Sequence, residues 1–315
     1  MSMKFPEAFV FAKENRLYRA STILTNFIMK LNPNFFDSLK NFMKHLLTPF
    51  ILCLAFTTFA QQHKLEKLWE TDTIVAVPES VLPDLKNNIL YVSLIDGGAW
   101  DADGKGGVAK LSPDGKKYNG SWITGLNAPK GMGKYGNRLF VADINEVAVI
   151  DIKKGTIEKK ISIPGAEGLN DITVADNGAV YVSDSRTAKI WKIENDMPSV
   201  YLEDVKGVNG LKAVKNDLYM GAGKSFVKAD AQKKLNTIVE LPQGIDGIEP
   251  VGNGDFILTA WAGYIFYVHT NGKFETLLET HQEKKNSADI GFDPAKRIVY
   301  VPTFNGKAIV AYQLK

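Results

Sequence analysis

Cysteine is nearly absent from this chain: Cys53 is the only one in 315 residues, which excludes a disulfide framework, a multi-cysteine zinc site and a redox pair within one molecule. Histidine is scarce as well. Four of them, His45, His63, His269 and His281, leave little room for histidine-based metal chemistry. No apolar run reaches the roughly 20 residues that a membrane-crossing helix needs, and no helix-period stretch of useful length interrupts the chain. An excess of one charge is also lacking, since 38 Lys and Arg face 35 Asp and Glu for a formal charge of +3.

The small basic excess resolves by region. Lys44-His45, an apolar stretch from Leu46 to Phe56 broken only by Thr48 and Pro49, then Ala60 before Gln61-Gln62, carry the three regions of a secretory signal. Residues 43–60 are therefore expected to be a signal peptide cleaved near Ala60. Met43 stands directly before it, so residues 1–42 read as an upstream leader set by an early start codon. Cys53 follows Phe50-Ile-Leu rather than the small residue expected before a lipid-modified cysteine, which favours a soluble periplasmic or secreted protein. Residues 1–60 hold seven basic and three acidic side chains, so the remainder carries 31 against 32. A net charge near −1 offers no concentrated basic face for nucleic acid.

What is present is repetition. Leu90-Tyr-Val-Ser, Leu139-Phe-Val-Ala, Val180-Tyr-Val-Ser, Leu218-Tyr-Met-Gly, Phe256-Ile-Leu-Thr and Val299-Tyr-Val-Pro recur at spacings of 49, 41, 38, 38 and 43 residues. Each is followed by a second apolar segment, such as Val147-Ala-Val-Ile, and in places by a turn: Pro113-Asp-Gly, Lys154-Gly, Asn271-Gly. Most units close with a further apolar run. Units of about 40 residues with four strands predict an all-β, six-bladed β-propeller over residues 61–315. The last unit lacks an outer strand, and His63-Lys-Leu-Glu-Lys-Leu-Trp-Glu70 supplies the missing one, closing the ring from the N-terminal side.

A polar residue stands 10 to 12 positions upstream of each marker: Glu79, Lys130, Asn170, Asn209, Asp246 and Asp289. Innermost strands line a propeller's channel, so these six side chains should converge on the axis. Turns attract Asn, Asp and Gly in any case, which accounts for Asn209-Gly and Asp246-Gly singly but less well for Glu79. Glu79, Asn170, Asn209 and Asp246 form an oxygen-only donor set, which suits calcium best, with magnesium, manganese or zinc as alternatives.

Pro78-Glu79, Leu169-Asn170-Asp171, Val208-Asn209-Gly210-Leu211 and Ile245-Asp246-Gly247-Ile248 resemble the four metal-ligand segments of the regucalcin and gluconolactonase (SMP-30) family. That resemblance implies a cation on the axis, hydrolysis of a sugar lactone or related ester, and Asp246 as the base that activates water. Blade two departs from the family in Ala128-Pro-Lys130-Gly, where no substrate-contacting arginine or asparagine matches. Lys130, Asp184, Arg186, Trp261 and Asp289 are the expected substrate contacts, with Trp100 carried on a lid, Asp96 to Gly107, that projects over the same face. No phosphate loop and no Gly-x-Ser-x-Gly elbow is present. The expectation is a monomeric, exported, metal-dependent hydrolase of a small molecule. The alternative is a non-catalytic, calcium-stabilised propeller that binds a ligand or protein partner.

Overall fold

The computed structural model describes residues 63–315 together with Asn34 and Lys40. The expected leader (1–42), signal segment (43–60) and cleavage point near Ala60 lie, apart from those two residues, outside the described part.

The described chain opens on β1 (Leu65–Glu70). Blade one is β2 (Pro78–Asp84), β3 (Ile89–Leu94), β4 (Gly106–Leu111) and β5 (Tyr118–Leu126). Blade two is β6 (Pro129–Tyr135), β7 (Arg138–Asp143), β8 (Glu146–Asp151) and β9 (Thr156–Ser162). Blade three is β10 (Leu169–Val174), β11 (Val180–Asp184), β12 (Lys189–Glu194) and β13 (Met197–Leu202). Blade four is β14 (Val208–Val214), β15 (Asp217–Ala222), β16 (Ser225–Ala229) and β17 (Leu235–Glu240). Blade five is β18 (Ile248–Gly252), β19 (Asp255–Ala260), β20 (Tyr264–Val268) and β21 (Phe274–Glu279). Blade six is β22 (Gly291–Asp293), β23 (Ile298–Pro302) and β24 (Ile309–Leu314), completed by β1 in the order β1-β24-β23-β22. The six four-stranded antiparallel sheets make the expected six-bladed β-propeller.

The repeated marker is the second strand of each blade, and its composition follows from burial on both faces. In β3, Leu90 and Val92 pack with Tyr300 and Ile309 of blade six, while Tyr91 packs with Met132 and Leu139 of blade two. The same division recurs around the ring, so the buried apolar clusters sit at the seams between neighbouring blades. Side chains alternate across a strand, and each fully buried one contributes about 1.5–3 kcal/mol. Glycines of the hairpin turns, Gly115, Gly155 and Gly272, have φ of 74°, 65° and 79°, a region that disfavours other residues.

Ring closure is specific. β1 pairs antiparallel with β24 in the register Leu65↔Leu314 to Glu70↔Val310, with one bulge before Trp69. Backbone N–H groups of Lys64 and Lys315 donate to each other's carbonyls. Trp69 lies 6.0 Å from the Tyr300 ring, and a side chain at Gly115 would meet the Trp69 indole at 2.7 Å. β1 therefore covers the outer edge of blade six and wedges against blade one. Deleting residues 61–72 should lower the melting temperature by at least about 10 °C. Unchanged thermal unfolding of that truncation would overturn this account of closure.

Candidate axial metal centre

Each innermost strand is entered through the same irregularity. The pairing register shifts between Pro78 and Val81, between Pro129 and Met132, between Leu169 and Ile172, and between Val208 and Leu211. In blade five, Asp246 N–H donates to the Thr259 carbonyl and Thr259 N–H to that of Gly247; in blade six, Ala288 N–H donates to the Pro302 carbonyl. A bulge places two residues opposite one and re-aims a side chain. The six sequence-predicted residues are the first of these irregular pairs: Glu79, Lys130, Asn170, Asn209, Asp246 and Asp289.

The second residue explains another part of the repeat. Ser80, Asp171 and Gly247 donate their backbone N–H to the hydroxyls of Ser93, Ser183 and Thr259 at 2.8–2.9 Å. Those hydroxyls are the fourth marker residue in blades one, three and five, where they satisfy a donor that the irregular ladder leaves over.

Asn170, Asn209 and Asp246 line a cavity of about 270 Å³ with Ser185 and Trp261. Larger hollows of about 520 Å³ lie away from the axis, one of them beside Tyr181, Lys215 and Asp217, and hold none of these residues. Asn209 Nδ2 donates to Asp246 Oδ1 at 2.9 Å, which leaves Asn209 Oδ1 buried without a partner. Glu79 Oε2 is likewise buried and unpartnered. Asn170 Nδ2 donates to Ser185 Oγ at 3.1 Å, and Ser185 Oγ donates to the Val208 carbonyl at 2.7 Å, so the Asn170 amide is also held in orientation. An unsatisfied buried acceptor costs about 1–3 kcal/mol. Two such oxygens in a set of two carboxylates and two amides fit a hard divalent cation held by oxygen.

Electrostatics agree with that fit. Burial, with the nearby Asp289 charge, pushes Asp246 up to about 7 against the hydrogen bond from Asn209 and the Lys130 charge. Glu79 is raised well above the usual carboxylate range by burial and by Asp246. Lys130 is lowered by burial, which outweighs the pull of Glu79, Asp143 and Asp246. Burial thus favours the protonated forms of Glu79 and Asp246, and a cation would supply the alternative charge.

Asp289 was expected as a substrate contact, but its side chain belongs one layer deeper. Its backbone pairs with blade one, with Asp289 N–H donating to the Glu79 carbonyl and Val81 N–H to that of Asp289. Its carboxylate accepts from Ser80 Oγ at 2.5 Å, and burial with the Glu249 charge raises it to about 7 against that bond and Lys212. Asp171 lies in the same layer, accepting from Leu211 N–H at 2.6 Å, and is raised by burial and by Asp289. Lys212 pairs with Glu249 at 2.7 Å. This second layer escaped sequence reasoning. Lys212 and Glu249 stand three residues beyond Asn209 and Asp246, and that shared offset is the signal that would have found them.

Asp184 also differs from expectation. It is fully buried and accepts from the backbone N–H groups of Glu167, Gly168, Arg186 and Thr187 and from Trp191 Nε1, so it organises the blade-three loop. Asp143 does the same in blade two for Asn127 and Ala128. The Trp100 ring is 4.2 Å from Lys130 Nζ and 4.7 Å from the Arg186 guanidinium, and Lys130 Nζ donates to the Ala99 carbonyl at 2.5 Å. The loop from Asp96 to Gly107 thus lies against blades two and three through a cation–π stack. Gly168 admits the Arg186 stem, which a side chain there would meet at 2.6 Å. Trp261 is 46% exposed and packs edge-on to Phe304 at 5.5 Å.

Comparison by sequence finds no matching family model and no matching curated protein. Solved propellers do match in fold. A catalytically inactive virginiamycin B lyase from Staphylococcus aureus, solved with quinupristin, aligns with a TM-score of 0.57 at 16% identity, covering 81% of this chain and 100% of that one. A selenomethionine form of the same lyase gives 0.54 at 15%, covering 77% and 82%. A chain of a nidogen/laminin complex gives 0.55 at 15%, covering 64% and 80%. These likenesses establish the propeller class. Among the described residues no helix is long and apolar enough to cross a membrane.

A carboxylate whose pKa is raised on folding, from 3.8 to about 7 for Asp246 and Asp289, makes the folded chain bind more protons than the unfolded one in between. Stability in chelator should therefore fall as pH rises from about 4 to about 7, and Asp289→Asn should flatten that fall. Melting temperatures at pH 5 and pH 8 in chelator test this; expected is a drop of about 5–10 °C, recovered at pH 8 by calcium. A rise in chelator, or an unaltered slope in Asp289→Asn, would contradict the assignment.

Proposed function

We propose that the protein is a metal-dependent hydrolase of the regucalcin and gluconolactonase type, opening a sugar lactone or related ester. The observation that carries this reading is that Asn170, Asn209 and Asp246 line one cavity, with Glu79 close enough to feel the Asp246 charge, and that Glu79 Oε2 and Asn209 Oδ1 are buried and unpartnered. Calcium is the proposed cation, with magnesium, manganese or zinc as substitutes. When bound, it supplies a Lewis acid for the substrate's carbonyl oxygen.

Within that scheme Asp246 takes a proton from the attacking water. A raised carboxylate inside a cavity beside two amides is suited to general-base work near neutral pH. Asn209 orients Asp246 through its amide N–H, and Asn170 is oriented by Ser185. Trp261 offers an apolar wall, and Lys130 and Arg186, both against the Trp100 ring, favour an anionic sugar-acid product. Export after cleavage near Ala60, a monomeric state and no nucleic-acid partner complete the proposal.

A second reading, a calcium-stabilised propeller that binds a ligand or partner without turnover, draws on one observation. Lys130 already donates to the carbonyls of Ala99 and Ala128 and stacks on Trp100, so this cation is engaged within the protein.

Asp246→Asn should lower kcat/KM on a susceptible lactone about 10²- to 10⁴-fold while preserving the fold. Metal content, thermal unfolding and a lactone panel, with calcium and with chelator, separate the readings. Metal retained without turnover of any lactone selects the binding module. Failure of the wild type to bind any divalent ion removes both.

A further inference from the structure

A second cluster of ligand-type side chains lies far from the axis, at the seam between blades five and six. His63 Nδ1 and His269 Nε2 both approach Glu275 Oε1, at 2.9 Å and 2.8 Å, and the three ligand atoms lie within 4.8 Å of one another. Glu275 stands on β21 opposite Tyr267 of β20, and His269 follows β20 in the same hairpin. His63 comes from the segment that leads into β1. The scarcity of histidine thus did not prevent two of the four from meeting.

The surroundings hold each of these side chains in orientation. Glu275 Oε2 accepts the His63 backbone N–H at 2.9 Å, leaving Oε1 to the two imidazoles. The His63 ring stacks on Tyr267 with centroids 3.7 Å apart and planes 10° apart. The far nitrogen of His269, Nδ1, faces Asp255 Oδ2 at 3.6 Å. Asp255 is itself fixed, accepting from Thr270 N–H at 2.8 Å, from the Tyr267 hydroxyl at 2.8 Å and from Asn253 Nδ2 at 3.2 Å. A carboxylate behind a metal-facing imidazole sets its tautomer and raises its basicity. Side-chain exposures of 20%, 29% and 21% for His63, His269 and Glu275 leave the cluster accessible to an ion.

We infer that His63, His269 and Glu275 form a site for a borderline divalent transition cation, zinc above all, that ties the ring-closing segment to blade five. Two imidazoles and one carboxylate with a remaining position for water are a zinc donor set, chemically unlike the all-oxygen set on the axis. Zinc-to-ligand distances of about 2.0–2.2 Å require separations of roughly 3.3 Å between tetrahedral ligand atoms. The two separations from Glu275 Oε1, 2.9 Å and 2.8 Å, open to that by about half an ångström, and the two imidazole nitrogens already lie within 4.8 Å of each other. Two neutral imidazoles with Glu275 and Asp255 balance a charge of +2. Because His63 directly precedes the β1 pairing, a bound ion reinforces the closure of the ring.

The test uses the isolated protein without a polyhistidine tag, stripped with chelator and then titrated with zinc in saturating calcium. One zinc per chain is expected, with a higher melting temperature. His269→Ala and Glu275→Gln should each weaken zinc at least tenfold, whereas His281→Ala and Asp246→Asn should leave zinc affinity unchanged. Cobalt in place of zinc should give the intense visible absorption of a tetrahedral site in the wild type, a readout that does not depend on any variant folding. No stoichiometric zinc, zinc retained in both His269→Ala and Glu275→Gln, zinc lost in Asp246→Asn, or a purely octahedral cobalt spectrum would each overturn the inference.

Discussion

Three carboxyl groups, those of Glu79, Asp171 and Asp246, are buried around one axis with the half-buried Asp289 beside them, and the rest of the ring is arranged about that constraint. Isolated charges in such a place are costly unless paired, protonated or bound to a metal. Hydrogen bonding and ion pairing are both used here. Asp171 accepts two backbone N–H bonds, from Ile172 and Leu211; Asp289 takes the Ser80 hydroxyl; Glu249 pairs with Lys212. Only the layer of Glu79, Asn170, Asn209 and Asp246 retains unpartnered oxygens. Each carboxylate of the deeper layer thus has a hydrogen-bond or ion-pair partner within the protein, while Glu79 Oε2 and Asn209 Oδ1 of the outer layer have none.

The bulges explain how a regular fold produces an irregular site. A regular strand would present one residue per pair of rungs, whereas the repeated shift re-aims one side chain per blade and leaves one extra N–H group. In three blades a hydroxyl from the adjoining strand satisfies that group. The close approach of neighbouring inner strands also restricts the second bulge residue: a side chain at Gly210 would meet the Asp246 carbonyl at 1.7 Å, and one at Gly131 the Asp171 backbone at 2.4 Å. Glycine there lets the axis narrow enough for side chains on different blades to interact, as in the Asn209 bond to Asp246.

The blades were legible in the sequence because each second strand is buried on both faces and so repeats an aromatic or aliphatic pattern with little variation. The six axial positions were legible because they keep a nearly constant distance from that pattern. What the repeat could not convey was depth. Asp289 shares its offset with Asp246, yet blade six has a short inner strand, and the bonding of Asp289 to Glu79 and Val81 turns its carboxylate to the second layer. Asp184 read as a rim residue because it ends a second strand; four backbone donors and an indole drew it inward. The histidine cluster was hidden for another reason. His63 and Glu275 are separated by 212 positions, and only the closure of the ring brings them together.

Ring closure is therefore more than a way to cover a sheet edge. Apolar contacts among Tyr267, Leu65 and Leu314 hold the seam between blades five and six. The segment before β1 adds polar contacts across that same seam, from His63 to Glu275 and onto Tyr267. The axis then depends on this distant edge in a definite way. Asp289 of blade six bonds Ser80 of blade one, and the backbones of the two blades pair beside Glu79. Any loosening of blade six against its neighbours separates Asp289 from Ser80 and alters the charge felt by Asp246. The all-oxygen set on the axis and the imidazole–carboxylate cluster at the seam also meet in one blade, since blade five supplies Asp246 to the first and His269 and Glu275 to the second.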